Sequence, residues 1–314
     1  MKPKIKVIGV GGSGSNTVSR MSDFKIPGVE LLAVNTDAQA LHFSKSDKRI
    51  LIGKNITKGL GTGMDADLCR KSTEESKQEI LENLKGADMV FITCGLGGGT
   101  GSGASPVIAE ISKGLGILTI VVVTMPFSFE GLERKKVAEQ ALKNLNEKVD
   151  SLLVISNDKL LNIIDEKTTV SGAFLICDDI LREAVQSITD LILVPGIINI
   201  DFASVLSIMR NSGQTLFGVG RMSGENRAIK AAETAINSPL LDFSIKGAKG
   251  VLFSVSGVDV TLNEIQQAAQ VITKNVDSKA QIIFGAVKPT KDSPDTKKTA
   301  HGYPIKVTVI ATKL

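Results

Sequence analysis

Val90-Phe91-Ile92-Thr93-Cys94-Gly95-Leu96-Gly97-Gly98-Gly99-Thr100-Gly101-Ser102-Gly103 runs from an apolar, β-branched segment into a cluster of glycines. The residues that follow, Gly103 to Lys113, carry the apolar spacing of a crossover helix. The glycines therefore stand between a buried strand and an amphipathic helix, where a flexible linker is not expected. Backbone N–H groups freed of side chains, together with the Thr100 and Ser102 hydroxyls and the positive end of the helix, make a cradle suited to a polyphosphate.

A second cradle lies upstream. The strand read over Lys4 to Val10 ends in Gly9-Val10-Gly11-Gly12-Ser13-Gly14 and passes into a helix through Ser15-Asn16-Thr17-Val18, which fits the dinucleotide pattern G-x-G-x-x-G. Asp37, after the second strand, stands where the ribose ligand of an NAD enzyme would, so a nicotinamide-dependent oxidoreductase is the competing reading. A simple dinucleotide fold needs one phosphate cradle, and the presence of two argues against it. No G-x-x-x-x-G-K-[ST] occurs, which excludes a Walker-type NTPase.

Further strands are read over Glu30 to Val34, Ala87 to Thr93, Ile117 to Met125 and Ser151 to Ile155, with helices over Met64 to Leu84 and Gly131 to Val149. Strands alternating with helices predict a doubly wound parallel α/β sheet over residues 1–168. An apolar, Pro-free helical pattern follows over 169–194 and stops at Pro195-Gly196, predicting a long central helix. Residues 195–314 then read as a smaller α+β domain, with a segment Phe202 to Met209, strands Gly250 to Ser256, Ala280 to Ala286 and Ile305 to Ala311, and a helix Leu262 to Asn275. Lys288 to Gly302 reads as a surface loop.

Composition narrows the function. The chain has 314 residues, 42% hydrophobic and 22% charged, which suits two packed domains. No apolar run reaches the roughly 18 residues that span a bilayer, and the amino terminus has no signal-peptide layout, so a cytoplasmic protein without direct membrane insertion is expected. Cys69, Cys94 and Cys177 form no Cys-x-x-Cys pair, and His42 and His301 are the only histidines. No zinc-ligand spacing results, and the cysteines read as buried, reduced thiols. A formal charge of +4 spread along the chain, no Trp and a single Tyr, Tyr303, give no nucleic-acid stacking surface.

Gly97 to Gly103 closely resembles the signature of the tubulin/FtsZ family. The resemblance extends over nearly the whole chain through Asn35-Thr36-Asp37-Ala38-Gln39-Ala40-Leu41, Lys58-Gly59-Leu60-Gly61, Pro126-Phe127-Ser128-Phe129-Glu130-Gly131, Asn157-Asp158-Lys159 and Asn199-Ile200-Asp201-Phe202-Ala203. It implies a GTP-binding domain whose phosphates are held by Gly11, Gly12, Ser13, Gly14, Ser15 and Asn16 and by Gly97, Gly98, Gly99, Thr100, Gly101 and Ser102. Gly61 and Gly63 would lie near the terminal phosphate, and Asp37 and Asn157 belong to the same nucleotide site. Glu130 and Arg134 would contact the ribose, Phe174 would lie against guanine, and Asp178 would accept from its N1 and exocyclic amine. The residue-level alternatives are a core role for Phe174 and a solvated helix face for Asp178 beside Asp179. Mg²⁺ is expected through the GTP phosphates, with no metal held by side chains.

By the same resemblance, copies join head to tail into a homopolymer at the division site, and the loop Asn199 to Ser204 of one copy completes the hydrolytic site of the next. Asn199, Asp201 and Ser204 are then the catalytic candidates. The family pattern carries an acid where Ser204 stands, so hydrolysis is expected to be slow, or, in the alternative, negligible in a GTP-binding scaffold. Asp201 also reads as a helix N-cap. Membrane-anchoring division proteins are the implied partners, with their docking tail expected to be absent from a chain that stops at Leu314.

Overall fold

The protein is described by a computed structural model covering residues 3–24, 28–161, 164–165, 167–194, 196–238, 244–289 and 294–312. The chain folds as two compact units, Met1–Gln186 and Ser187–Leu314.

The first unit runs β1 (Ile5–Val10), α1 (Gly11–Phe24), β2 (Val29–Asn35), α2 (Ala38–Phe43), β3 (Lys48–Leu51), α3 (Ala66–Glu75), α4 (Lys77–Leu84), β4 (Met89–Gly95), α5 (Gly99–Gly114), β5 (Leu118–Met125), α6 (Leu132–Asn146), β6 (Ser151–Ser156) and α7 (Asn157–Leu160). The unit boundary falls inside α8 (Val170–Leu193). Its strands are all parallel, in the order β3-β2-β1-β4-β5-β6. Every residue of β1 is buried, as is nearly all of β4 and β5, which is why these segments read as continuous apolar runs rather than alternating ones. Strand order reverses between β1 and β4, and in such sheets ligands bind in the crevice beyond the carboxyl ends of the strands at that reversal. Both glycine segments leave those two strands there.

The second unit contains α9 (Phe202–Met209), β7 (Gly213–Met222), α10 (Arg227–Ile236), β8 (Gly250–Ser256), α11 (Leu262–Thr273), β9 (Gln281–Val287) and β10 (Ile305–Thr312). Strands lie in the order β7-β10-β8-β9, with β10 antiparallel to β7 and β8 and β9 parallel to β8. Ala228, Ala231, Ala232 and Ala235 of α10 are buried in the core of this unit. The helix backbone closes onto the strand, since a Cβ at Gly218 or Gly220 of β7 would lie 2.0 Å from the carbonyl oxygen of Ala235 or Ala231.

Several elements differ from expectation. Met64 to Leu84 is two helices, α3 and α4, divided at Ser76, whose backbone turns out of helical geometry while its Oγ accepts from Gly53 N at 3.1 Å. The helices begin earlier than read, α1 at Gly11 rather than near Ser15 and α5 at Gly99 rather than Gly103, so much of each phosphate-cradle segment is a first helical turn. β3, β7, α2, α7 and α10 escaped the sequence reading. The proposed stop at Pro195 and the section 290–293 of the Lys288–Gly302 loop lie outside the described residues. Among the described residues, no helix is long and apolar enough to cross a membrane.

Candidate functional site

At the carboxyl edge of the first unit's sheet lies a cavity of about 340 Å³, within the size range of small-molecule sites. All of its wall comes from the first unit. On one part of the wall the amino ends of α1 and α5 meet. A Cβ on Gly11, which has φ +71°, would come within 3.1 Å of Gly101 N, and one on Gly101 within 2.5 Å of Gly95 O, so the two turns are packed backbone to backbone. Gly12 and Gly98 have no atom within 4 Å of where a Cβ would stand. Their backbones are open to the cavity, and two helix amino ends beside them provide partial positive charge for an anion.

The segment Gly61 to Asp65 closes over the start of α5. Gly61, Gly63 and the non-glycine Met64 take φ of +80°, +54° and +72°. Gly61 N donates to Thr36 O at 3.2 Å and Ala38 N to Gly59 O at 3.0 Å, which pin the preceding turn to the link between β2 and α2. The Thr100 hydroxyl is paired with that of Thr36 at 2.8 Å. Asp37 lines the cavity while capping α2 through Ala40 N at 2.9 Å.

Elsewhere on the wall stand Glu130, Arg134, Phe174 and Asp178. Glu130 is fixed twice, by an ion pair with Arg134 at 2.5 Å and by accepting from Phe127 N at 2.9 Å. Phe174 meets the buried Phe127 edge-on with ring centres 5.4 Å apart, and Phe129 stacks on Phe127 at 4.9 Å. At 39% exposure Phe174 is an aromatic wall rather than a core residue. Asp178 is 7% exposed, unlike Asp179, which turns outward to Arg182. Burial drives the Asp178 carboxyl up to about 6, against the charge of Arg20 and the hydroxyls of Ser13 and Thr17, which favour its ionised form. Asn157 is buried against the cavity with no hydrogen-bond partner for its Oδ1. A buried polar atom left open at a cavity wall is what a site built for a polar ligand retains.

Five of the expected nucleotide residues are not part of the wall: Gly14, Ser15, Asn16, Gly97 and Ser102. Gly14 sits where a Cβ would be 2.4 Å from Thr93 O, so its task is close packing of α1 on the sheet. Ser15 is buried and Asn16 is exposed on α1. Gly97 turns at φ +94° and donates its N–H to the Ser102 hydroxyl at 2.9 Å, which makes Ser102 a brace of the turn. Sequence reasoning left out Asn35, Thr62, Pro126 and Cys177, which do line the cavity. Asn35 and Pro126 lie inside quoted motifs, which was the available signal. All three cysteines are buried with thiols pushed up to about 12 by burial.

The remaining candidates belong to the second unit. Asn199 Oδ1 accepts from Gly196 N at 2.7 Å, and Ile198 bridges to Ala286 of β9, so the loop is anchored before α9 begins. Asp201 caps α9, accepting from Ser204 N at 2.6 Å. The Ser204 hydroxyl also serves this carboxylate, and together the two donors hold it below the usual carboxylate range. Asp201 remains exposed to solvent.

Residues 4–165 match the tubulin/FtsZ family, GTPase domain, and residues 213–314 the FtsZ family, C-terminal domain. The chain is 50% identical over 312 residues to cell division protein FtsZ 1 of Pyrococcus horikoshii, covering 99% of this chain and 81% of the relative. Its likeness to the same-named protein of Thermococcus kodakarensis is 48% identity over 91% of this chain and 76% of the relative. Among solved structures it resembles an FtsZ dimer from M. jannaschii with TM-score 0.92 and 42% identity, covering 99% of this chain and 88% of that one. A GTPγS-bound protofilament of CetZ2 from Haloferax volcanii shares the fold, with TM-score 0.82 at 21% identity over 99% of this chain and 92% of that one.

Proposed function

The chain belongs to the FtsZ family of tubulin-like GTPases, and on that premise we propose that it assembles head to tail into division-ring protofilaments that hydrolyse GTP between successive copies. The observation that carries this reading is the make-up of the cavity. Open backbone at Gly12 and Gly98 suits phosphates and the buried Asp178 suits guanine, while Asp201, the acid assigned to hydrolysis, belongs to the other unit. Joining unlike surfaces of identical copies does not close, so it yields a filament and makes turnover conditional on assembly.

Phosphoryl transfer needs positioning and charge compensation more than covalent help. The first-unit residues hold and orient the nucleotide, Asp201 of the incoming copy polarises the attacking water, and a Mg²⁺ ion held with the nucleotide would supply charge compensation. Ser204 offers a hydroxyl but no charge, and loss of a positioned acid or base costs on the order of 10²- to 10⁴-fold, so turnover is slow. The protein acts in the cytoplasm at the division site, with further copies of itself as its partner.

A second reading, a GTP-binding scaffold with negligible turnover, is favoured by one observation: the Asp201 carboxylate is already engaged by both donors of Ser204. Nucleotide extracted from the purified protein should be guanine nucleotide, and negative-stain images with GTP and Mg²⁺ should show head-to-tail filaments. An adenine dinucleotide in the extract, or two-fold closed dimers in place of filaments, would overturn the proposal.

A further inference from the structure

Asp178 is held from two sides by α1. Ser13 donates its hydroxyl to Oδ1 at 3.2 Å, and Arg20 places its Nε 3.8 Å from Oδ2. Ser13 is part of the cavity wall, whereas the contact of Arg20 with the wall is its ion pair with Asp178. No other cation is paired with this carboxylate among the described contacts. Arg134 is committed to Glu130 on the cavity wall, and the neighbouring Asp179, which disfavours a second negative charge, is paired with Arg182.

The protonation state of this carboxyl decides which base it can read. Guanine presents two donors, N1–H and the amine on C2, and only an ionised carboxylate accepts from both. A neutral carboxyl offers one donor and one acceptor, which matches the N1 acceptor and exocyclic amine of adenine. A site built to pair every polar group discriminates strongly because the wrong partner leaves buried groups unmatched. We propose that Arg20 is a specificity-determining positioning residue, whose ion pair with Asp178 keeps that carboxylate in the two-acceptor form that reads guanine and rejects adenine. This rests on the guanine-nucleotide reading above. Burial already lifts the Asp178 carboxyl to about 6, so little margin separates it from neutral pH. Without the Arg20 charge the neutral, adenine-compatible form becomes populated in the working range.

The test is calorimetric affinity for GDP and for ADP, in wild type, Arg20→Gln and Arg20→Lys, from about pH 6 to about pH 8.5. In Arg20→Gln, GDP affinity is expected to fall about tenfold near pH 6, the loss shrinking as pH rises, and the GDP-to-ADP ratio to fall by about the same factor. Arg20→Lys should recover most of both. A carbon-13 titration of the Asp178 carboxyl in the ligand-free proteins should move upward in Arg20→Gln and provides a readout in the wild type independent of ligand. A merely structural role would lower both affinities alike at every pH, and that result, or an unmoved titration midpoint, overturns the assignment of Arg20. A wild type that shows no preference for GDP over ADP overturns the guanine-nucleotide reading and this inference with it.

Discussion

Gly99 and Thr62 approach so closely that a Cβ on Gly99 would lie 2.3 Å from Thr62 Oγ1. The glycine therefore makes room for the Gly61 to Asp65 segment rather than for a ligand. Gly99→Ala is expected to lift that segment from α5 and to weaken GTP binding by about tenfold or more, the overpacking costing about 1 to 3 kcal/mol. Thr100→Ala, which removes only the hydroxyl pair with Thr36, should cost less. Equilibrium titration with a fluorescent guanine nucleotide checks both. An unchanged affinity in Gly99→Ala would show that the packing of this segment does not bear on the nucleotide.

Asp178→Asn should exchange an acceptor for a donor. Two charge-assisted hydrogen bonds to guanine are lost, so GTP affinity should fall about 100-fold, while xanthosine triphosphate, which presents a C2 carbonyl, should gain. The same group shapes stability without nucleotide. Its folded value, about 6, lies above the ordinary aspartate value of 3.8, so its contribution to stability is fully present below about pH 4 and is lost as pH rises through about 6. The full span corresponds to about 3 kcal/mol. Thermal melts of ligand-free wild type and Asp178→Asn should therefore diverge in their pH dependence between about pH 4 and 7. Parallel curves would contradict the assigned burial.

In the second unit, Gly220→Ala places a methyl 2.0 Å from the Ala231 carbonyl oxygen. The nearest atoms, from Ala231 and Ala235, are all backbone and cannot yield as a flexible side chain would. Destabilisation of about 2 to 3 kcal/mol is expected, read by chemical denaturation. A loss below about 0.5 kcal/mol would mean that α10 and β7 separate freely.

These glycines also explain what the sequence could and could not reveal. β1, β4 and β5 were legible because strands buried on both faces are apolar throughout, and the long apolar pattern of α8 was equally plain. β7 was hidden because Gly213, Gly218 and Gly220 dilute its β signal, and the reason for two of them is a helix backbone that only tertiary structure brings near. β3, with Lys48 and Arg49 exposed in four residues, is a short edge strand with almost no pattern. At the site, Gly12 and Gly98 could be named from motifs, and Asp178 only through the family resemblance. The brace formed by Ser102 and the contact of Arg20 with Asp178 depend on hydrogen-bond and charge geometry across elements, which no local spacing encodes.

Ser204→Asp should restore a carboxylate at the loop proposed to meet the next copy. A gain of about tenfold in turnover, equal to about 1.4 kcal/mol of barrier, is expected, with earlier disassembly of filaments by light scattering. Asp201→Ala should nearly abolish turnover while leaving nucleotide affinity close to wild type. A Ser204→Asp protein that polymerises but hydrolyses no faster would favour the scaffold reading.

The central claim is that no single copy holds a complete hydrolytic site, and phosphate release measured against protein concentration at saturating GTP and Mg²⁺ tests it most directly. The account predicts that the rate per copy is near zero when the protein is dilute and rises steeply once filaments form, so that total release grows faster than linearly. A rate per copy that is constant across the whole range, and the same in monomers as in filaments, would contradict it.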